Sequence, residues 1–351
     1  MIGVGVVGLG FGSRVHVPGF RLLADRGVRV EAVCARTPER VDAVARSLGV
    51  PRAYTSWRDL VADDRVSIVS IAVPPPAQAE IAEEALRAGK AVLCEKPVGL
   101  DVQRMRDVCR AADGLPALVN FSYRAVPAFE LASSVVSRGL LGPVRRVSVC
   151  WRTRSRPPDR VDWSWKDDAG AGGGALLAYG IHAIDYVSWF VGVPAGVRGS
   201  IGPAANLPRL HEGRDRPATS EDSFTAELDF AGGTKADIEL SLAWEGEPCH
   251  RVELAGESGV LVLENRDRVD PVRPWRVTLG DRVLSCEPRW ALGPGVDPRV
   301  EPFTTHAGAL IDATAGGAEA APSMRDALDA HLVADALARS SESGRRESVR
   351  R

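Results

Sequence analysis

The spacing of hydrophobic residues predicts that the first third of the chain alternates short buried strands with amphipathic helices. Five apolar runs have the length and composition of strands that are buried on both faces. The helical patterns between them end at glycines, and one of them has a proline near its start. Repeated strand–helix units with short connections indicate a parallel sheet covered by helices on both faces. The strand-like runs are 2–7, 28–35, 65–73, 91–97 and 116–121.

The pattern changes after about residue 122 to strict alternation of apolar and polar residues. In 223–230, Phe224, Ala226 and Leu228 fall on one face, and the turn 231–234 leads into a second alternating run at 235–243. This is typical of an antiparallel hairpin with one solvated face. Further strands are expected at 250–256 and 259–265, a mobile loop at 202–222, and a helix from the Ser323/Asp326 capping pattern to about residue 340.

The predicted fold class is therefore α/β, with an N-terminal parallel-sheet domain and a C-terminal α/β domain whose sheet is open and mostly antiparallel. We place the first domain at 1–121 and the second at 122–340, with a short tail at 341–351.

Composition excludes several classes of partner. The 351 residues carry 44 basic and 46 acidic side chains, a formal net charge of −2, so a nucleic-acid partner is not expected. No apolar run approaches the roughly 20 residues that span a bilayer, and the first residues read as a strand, with no signal peptide. The scattered cysteines predict free thiols, no metal site and a cytoplasmic location.

The segment "VVGLGFGS" directly follows the first strand and opens the first helix. Gly8 and Gly10 occupy the first two positions of a GxGxxG pattern, and Ser13 occupies the third. The first glycine permits the tight turn, the second lets the backbone approach a pyrophosphate, and the helix N-terminus then supplies N–H groups. A glycine-rich turn without a ligand is the alternative, but the strand–turn–helix context favours a dinucleotide and a Rossmann domain.

The end of the second strand predicts which dinucleotide is preferred. A carboxylate there would bind the ribose 2′-hydroxyl of NAD, but this corner carries Ala35, Arg36 and Thr37. Glu31 lies too early in the strand. A small residue followed by arginine suits a 2′-phosphate, so we predict that NADP(H) is preferred over NAD(H). An arginine in a solvated turn is the alternative.

Four motifs in order ("GLGFGS", "IAVPPPAQ", "GKAVLCEKP" and "GGGALLAYGIHAID") make the chain resemble the Gfo/Idh/MocA family of sugar and cyclitol oxidoreductases. The resemblance extends to "EDSFTAELDFAGGT" and "LAGESGVLVLEN" in the second domain. It implies a nicotinamide bound between two domains and a homodimer or homotetramer formed through the C-terminal sheet.

The resemblance also implies that Glu95, Lys96 and Pro97 form the family's EKP motif, in which the lysine lies at the reacting oxygen and the Lys–Pro bond is often cis. The physics agrees, because a proline biases the preceding residue toward extended angles at the end of a strand. A surface lysine beside a turn is the alternative.

The helix after the three glycines departs from the family. The resemblance implies an Asp four residues before a His, which places both on one face, but here residue 178 is alanine and only His182 remains. A histidine can act as general acid and base without a carboxylate partner, so we assign catalysis to Lys96 and His182. Without its context, His182 would be read as a core histidine.

Other candidate residues follow from position and resemblance. Lys166 and Tyr179 are weighed as substitutes for the lost acid. Trp163 and Trp165 could stack on nicotinamide or sugar, or simply pack. Arg124 contacts ligand or forms an interdomain ion pair, and Gln78 stands where the family often has His. The predicted cofactor-binding residues are Gly8, Gly10, Phe11, Gly12, Ser13, Arg14, Ala35, Arg36, Thr37, Val73, Pro74, Gln78, Glu95, Lys96 and Arg124. The predicted substrate-binding residues are Tyr123, Arg124, Trp163, Lys166, Tyr179 and His182.

These features together predict an NADP(H)-dependent oxidoreductase that transfers hydride between nicotinamide and a sugar, cyclitol or related polyol or ketone. Two alternatives stay open at this point. One is a non-catalytic regulator of the same fold that binds a dinucleotide or sugar. The other is a redox-neutral enzyme that retains its cofactor and oxidises and then re-reduces one sugar.

Overall fold

The structure is a computed structural model that describes residues 1–155, 162–204, 209–211, 213–267, 272 and 274–350. Among these residues, none of the helices combines the length and apolar character needed to cross a membrane.

The strands and helices follow one another in the order that the sequence pattern indicates, with several additions. The strands are β1 (Ile2–Val7), β2 (Val28–Cys34), β3 (Arg52–Tyr54), β4 (Ile68–Ile71), β5 (Ala91–Cys94), β6 (Ala117–Val119), β7 (Val144–Arg152), β8 (Gly196–Ile201), β9 (Leu210–His211), β10 (Arg214–Asp215), β11 (Ser223–Asp229), β12 (Lys235–Ser241), β13 (Cys249–Gly256), β14 (Val260–Asn265), β15 (Arg276–Leu279), β16 (Arg282–Leu284) and β17 (Glu347–Ser348). The α-helices are α1 (Val17–Arg21), α2 (Pro38–Leu48), α3 (Trp57–Ala62), α4 (Pro75–Arg87), α5 (Val102–Ala111), α6 (Pro127–Ser137), α7 (Ile181–Val191), α8 (Val300–Thr314) and α9 (Met324–Ser343).

The chain divides into two compact units. The first comprises Met1–Ala125 and Arg289–Leu328, and the second comprises Val126–Pro288 and Asp329–Arg351. This division differs from the predicted boundaries, which assigned 122–340 to one domain and 341–351 to a tail.

Two contacts explain the difference in boundaries. Helix α8 places Phe303 and Leu310 in the same buried cluster as Val4 and Phe20, so this late segment completes the first core. Near the C-terminus, β17 pairs antiparallel with β8, which incorporates the predicted tail into the second sheet.

The sheet of the first unit has six parallel strands in the order β3-β2-β1-β4-β5-β6. All residues of β4 and β5 are buried, as their continuous apolar sequence predicts. The strand order reverses direction between β1 and β4. In sheets of this kind ligands bind beyond the carboxyl ends of the strands at that reversal, so the residues that follow β1, β2, β4, β5 and β6 share one functional edge.

The sheet of the second unit has nine strands in the order β16-β15-β14-β13-β7-β12-β11-β8-β17. Its described pairs are antiparallel except β12 with β7, which confirms the predicted mostly antiparallel sheet. In β11, Phe224, Ala226 and Leu228 are buried while Thr225 and Glu227 are exposed, as the alternation predicts.

The segment predicted as a mobile loop contains a short hairpin. Strands β9 and β10 pair antiparallel, and the side chain of Arg209 is completely buried beside Asp167. A buried ion pair of this kind holds the segment against its own unit. Residues 205–208 and 212 lie outside the described part of the chain.

Candidate functional site

In the turn that follows β1, the local structure requires glycine at positions 8 and 12 but not at position 10. Gly8 has φ +99°, and a Cβ there would overlap the carbonyl oxygen of Ala72. A Cβ on Gly12 would lie 2.9 Å from Cγ1 of Val6, so the helix packs closely on the strand at Gly12. Around Gly10, which is exposed, a Cβ would meet nothing within 4 Å. The backbone at Gly10 therefore borders open space, and its contact with a pyrophosphate stays a prediction.

The structure assigns Ser13 a different task from the small packing residue that the motif suggests. Its Oγ donates a hydrogen bond to the carbonyl oxygen of Leu9 at 2.8 Å, which ties the turn to the helix. The exposed Arg14 donates from Nε to the carbonyl oxygen of Gly10 at 3.2 Å. The helix begins with a π-type turn, Gly12–His16, before α1.

The corner after β2 presents no carboxylate. Ala35 is half-buried, and Arg36 and Thr37 are exposed. Glu31, the acidic residue inside β2, is held by Arg52 at 2.7 Å and Arg29 at 3.3 Å. Arg36 is therefore the charged side chain among the three residues of this corner, and the preference for NADP(H) stays a prediction.

Gln78 lies away from the position expected of a cofactor contact. It is buried in α4, and its Nε2 donates to the carbonyl oxygen of Pro97 at 2.8 Å. The residues before α4, Val73 and Pro74, are half-buried and exposed respectively. Gln78 thus fixes the turn that follows Lys96, and direct contact with a cofactor stays a prediction for Val73, Pro74 and Gln78.

Glu95 follows β5 and sits in a hydrogen-bond network that sequence reasoning missed. His16 Nε2 donates to Glu95 Oε1 at 3.2 Å, and Asn120 Nδ2 donates to the same oxygen at 2.6 Å. Ser70 Oγ lies 2.8 Å from His16 Nδ1, and His306 Nδ1 lies 3.0 Å from Asn120 Oδ1. Since Asn120 Oδ1 only accepts, His306 Nδ1 is the donor in that pair.

The electrostatics of this network keep Glu95 ionised. Burial raises the pKa of the carboxyl, but the hydrogen bonds and charge of His16, with Asn120 and the nearby Lys96 ammonium, bring the pKa of Glu95 below its ordinary value. Burial, followed by the charge of Arg124, lowers the pKa of His306 to about 3, so that imidazole is neutral. His16 also stacks on Phe303, with ring centroids 4.2 Å apart.

Lys96 is half-buried at the carboxyl end of β5, and the Lys96–Pro97 peptide bond is cis. After β6, Tyr123 is buried, and Arg124 forms an ion pair with Asp326 at 3.0 Å inside the first unit. Arg124 thus forms an ion pair, but within one unit, so the alternative of an interdomain ion pair does not describe this contact. Contact of Tyr123 or Arg124 with a ligand stays a prediction.

In the second unit, three glycines are needed for the turn before the His182 helix. Gly172 and Gly174 have φ +78° and +103°. A Cβ on Gly173 would overlap the carbonyl oxygen of Lys166, and one on Gly174 would overlap the carboxylate of Glu221. Glu221 Oε1 accepts a hydrogen bond from the Leu176 N–H at 2.9 Å. Glu221 was missed by sequence reasoning, although an acid at a helix N-terminus is a favourable arrangement.

The helix that carries His182 is not regular at its start. A π-type turn, Leu176–Gly180, precedes α7, and Ile181 N–H donates to the carbonyl oxygen of Leu176. Ala178, His182 and Asp185 are all buried, with exposed fractions of 3%, 7% and 2%. Position 178, where the family resemblance implies an aspartate, is therefore buried and carries only the methyl group of alanine.

The predicted aromatic and basic residues before this helix are brought together. Lys166 Nζ lies 5.2 Å from the centroid of the Tyr179 ring. Trp163 is covered by Arg216, whose Cζ lies 3.5 Å from the ring centroid, and His211 packs beside it. The packing alternative thus accounts for one side of Trp163, while its stacking on a ligand stays a prediction.

Comparison with known proteins agrees with these features. Residues 2–123 match the family described as GFO_IDH_MocA, an oxidoreductase family with an NAD-binding Rossmann fold, and residues 129–262 match the GFO/IDH/MocA C-terminal domain. The chain therefore belongs to the Gfo/Idh/MocA family of nicotinamide-dinucleotide-binding oxidoreductases. The resemblance stated from the motifs is confirmed, as is its implication that the protein is an enzyme of the dehydrogenase type.

Three relatives illustrate the range of similarity. An uncharacterized oxidoreductase of Synechocystis is 31% identical over 278 residues, 78% of this chain and 74% of the relative. Levoglucosan dehydrogenase of Pseudarthrobacter phenanthrenivorans is 26% identical over 376 residues, 97% of this chain and 96% of the relative. A solved structure of a levoglucosan dehydrogenase in complex with NADH and L-sorbose has the same fold, with a TM-score of 0.88 at 23% identity, covering 100% and 99% of the two chains. An oxidoreductase domain protein of Kribbella flavida superposes with a TM-score of 0.87 at 29% identity, covering 100% and 99%.

Proposed function

We propose that the protein is an NADP(H)-dependent oxidoreductase that transfers hydride between nicotinamide and a sugar, cyclitol or related polyol or ketone. Membership of the family supports the reaction class, and the relative that acts on levoglucosan supports a carbohydrate-like substrate. The proposal includes a cytoplasmic location. It also includes a homodimer or homotetramer formed through the C-terminal sheet, whose exposed face carries Thr225 and Glu227.

The observation that carries the proposal is the fixed, ionised Glu95 directly before Lys96. Its hydrogen bonds to His16 and Asn120 hold the end of β5, at the edge of the sheet where dinucleotides bind. A group held in this way positions its neighbour without further reorganisation during reaction.

The residues of the chain have distinct tasks in the proposed mechanism. The chemistry that a nicotinamide would supply when bound is hydride transfer to or from the reacting carbon. Lys96 donates a hydrogen bond to the reacting oxygen and stabilises the charge that develops there. His182 takes or returns the proton of that oxygen. The backbone at Gly10 would hold the pyrophosphate of the dinucleotide, and Arg36 would pair with its 2′-phosphate.

Replacing Lys96 tests the catalytic assignment. Lys96→Met should lower kcat by about 100-fold or more, the usual loss for one oxyanion donor, because the charge on the reacting oxygen is no longer stabilised. Equilibrium binding of NADPH, followed by its fluorescence, should change little. The matched control is Lys235→Met, an exposed lysine that pairs with Asp229, which should leave kcat unchanged. Full activity of Lys96→Met would overturn the assignment.

Replacing Arg36 tests the cofactor preference. The side chain is exposed at the corner where a 2′-phosphate would lie, and a charge-assisted pair is worth about 1.5–3 kcal/mol, roughly tenfold to a hundredfold in affinity. Arg36→Ala should therefore reduce kcat/KM for NADP by that factor and leave kcat/KM for NAD nearly unchanged. A wild-type preference for NAD, together with an unaltered ratio in the variant, would contradict the prediction.

A further inference from the structure

Lys166 is held by its backbone against the turn that begins the His182 helix. Its carbonyl oxygen accepts hydrogen bonds from the Gly174 N–H at 3.1 Å and from Ser220 Oγ at 2.9 Å. The absence of a side chain at Gly173 lets the two segments approach this closely. The position of Lys166 relative to the His182 helix is therefore fixed.

The ammonium group of Lys166 lies over an aromatic ring and is not neutralised. Its Nζ is 5.2 Å from the centroid of the Tyr179 ring, and no carboxylate of the described chain lies within 4.0 Å of it. The two acids that follow it in sequence are already paired, Asp167 with Arg209 and Asp168 with Arg216. A half-buried lysine packs its stem against the protein while its ammonium stays accessible, so this charge is available to an anionic group.

The surroundings of Lys166 differ from those of the other lysines. The sequence has only four lysines among 44 basic residues, so arginine supplies nearly all of its positive charge. Lys90 donates to the backbone carbonyl groups of Asp63 and Val66, and Lys235 pairs with Asp229. Lys96 belongs to the turn already assigned to catalysis. Lys166 is the remaining lysine, and within the described ranges its ammonium has no carboxylate in ion-pair distance.

The ring beneath Lys166 connects it to His182. Tyr179 precedes His182 by three residues, and side chains three apart on a helix are neighbours whose Cβ atoms are about 5–6 Å apart. Residues 175–181 carry no carboxylate, since position 178 is alanine, and Glu221 is engaged by the Leu176 N–H. An acid at 178 would have repelled an anionic ligand, and its loss removes that repulsion.

We propose that the substrate is a carboxylate-bearing sugar or polyol, such as an aldonate or a uronate, and that Lys166 binds its carboxylate while His182 serves the reacting hydroxyl or carbonyl group. This inference rests on the proposed function, whose site it shares. Lys166 is then the residue that distinguishes acidic from neutral carbohydrates.

The experiment compares pairs that differ only at the carboxylate: D-gluconate with D-sorbitol, and D-galacturonate with D-galactose. Reduction of NADP gives kcat/KM for each compound, and calorimetry measures binding of each to the protein saturated with NADPH. For at least one pair, the acid should be favoured about tenfold or more over its neutral counterpart, the contribution expected of a hydrogen bond between charged groups. Lys166→Met should abolish that preference through KM, Lys166→Arg should retain most of it, and Lys235→Met should keep it in full.

The outcomes separate this inference from the proposed function. Turnover of the neutral compounds with equal or lower activity on the acids would overturn the inference while leaving the proposed function intact. A preference for acids that survives in Lys166→Met would also overturn it. Binding of acids that depends on Lys166, without turnover, would support the anion site and contradict the oxidoreductase proposal. Absence of both binding and turnover would overturn both.

Discussion

Glu95 is a largely buried carboxylate whose negative charge is stabilised mainly by hydrogen bonds from neighbouring side chains. His16 and Asn120 donate to one of its oxygens, and Asn120 in turn accepts from His306. Each of these side chains depends on the next, because a donor or acceptor left unpaired in the interior costs more than a typical hydrogen bond contributes. At the scale of the residue, the carboxyl-terminal edge of the first sheet is therefore a set of mutually dependent polar groups.

Replacement of Asn120 should disrupt this network most, because its side chain bonds to both Glu95 and His306. Asn120→Leu removes a donor to Glu95 and the acceptor of His306, and each unsatisfied buried group should cost about 1–3 kcal/mol of unfolding free energy. The matched control is Gln103→Leu, because Gln103 bonds to Asp107 on the exposed surface and should contribute less than about 0.5 kcal/mol. Urea unfolding at pH 7 measures both. Equal losses in the two variants would show that the network does not stabilise the fold.

Two helices assigned to function begin with π-type turns, Gly12–His16 and Leu176–Gly180. The hydrophobic period predicts helices at both places but not the wider turn, since one extra residue per turn barely changes the apolar stripe. Such turns often occur at functional sites because they alter which side chains face the ligand. Here they precede or include His16, Tyr179 and Ala178.

The glycine-rich turn allows its structural and binding tasks to be separated. Gly8→Ala should cost about 1–3 kcal/mol of stability, because φ is +99° and a Cβ would overlap the Ala72 carbonyl oxygen. Gly10→Ala should leave the melting temperature nearly unchanged, since a Cβ meets nothing within 4 Å, and should weaken NADPH binding by filling the space for the pyrophosphate. Thermal unfolding and fluorescence titration distinguish the two effects. Unaltered NADPH affinity in Gly10→Ala would contradict the placement of the pyrophosphate.

Each unit of the molecule buries a neutral histidine. Burial lowers the pKa of His306 in the first unit and of His250 in the second to about 3. His250 Nε2 lies 3.0 Å from the Tyr186 hydroxyl and the ring stacks on Trp151, with centroids 4.2 Å apart. Protonation of either ring would place a positive charge in the interior, so acidification should destabilise both units.

The direction of the pH dependence follows from these values. An unfolded histidine binds a proton near pH 6.5, whereas the buried rings remain neutral until about pH 3, so the unfolded state takes up protons first. Stability is therefore complete above about pH 6.5 and falls toward pH 3, by up to about 1.4 kcal/mol per pH unit for each histidine. The melting temperature should be lower at pH 5.5 than at pH 7.5. His306→Gln should show a smaller difference, and a melting temperature that rises on acidification would contradict the account.

Sequence patterns predicted many of the strands and turns of this protein, because each of these depends on residues that are close together in the chain. The apolar runs predicted five of the six strands of the first sheet, and alternation predicted β11 and β12. The glycines predicted the turns at Gly8 and Gly174. These features depend on neighbours in the chain. The short β3 and α3 and helix α8 were missed, because a run of three to six residues, or a helix without a marked stripe, carries little periodic signal.

Only the tertiary structure decided which distant residues meet. The pairing of Asn120 with His306, 186 positions apart, and the packing of α8 on the first core arise from how whole elements stack, which no local period records. The same holds for Lys166, whose position over Tyr179 follows from the close approach of two backbone segments at Gly173. The lysines, His182 and the alanine at position 178 could be read from the sequence, because they are single residues in recognisable motifs. Which charged side chains form ion pairs was decided by the fold, because the partners come from distant segments.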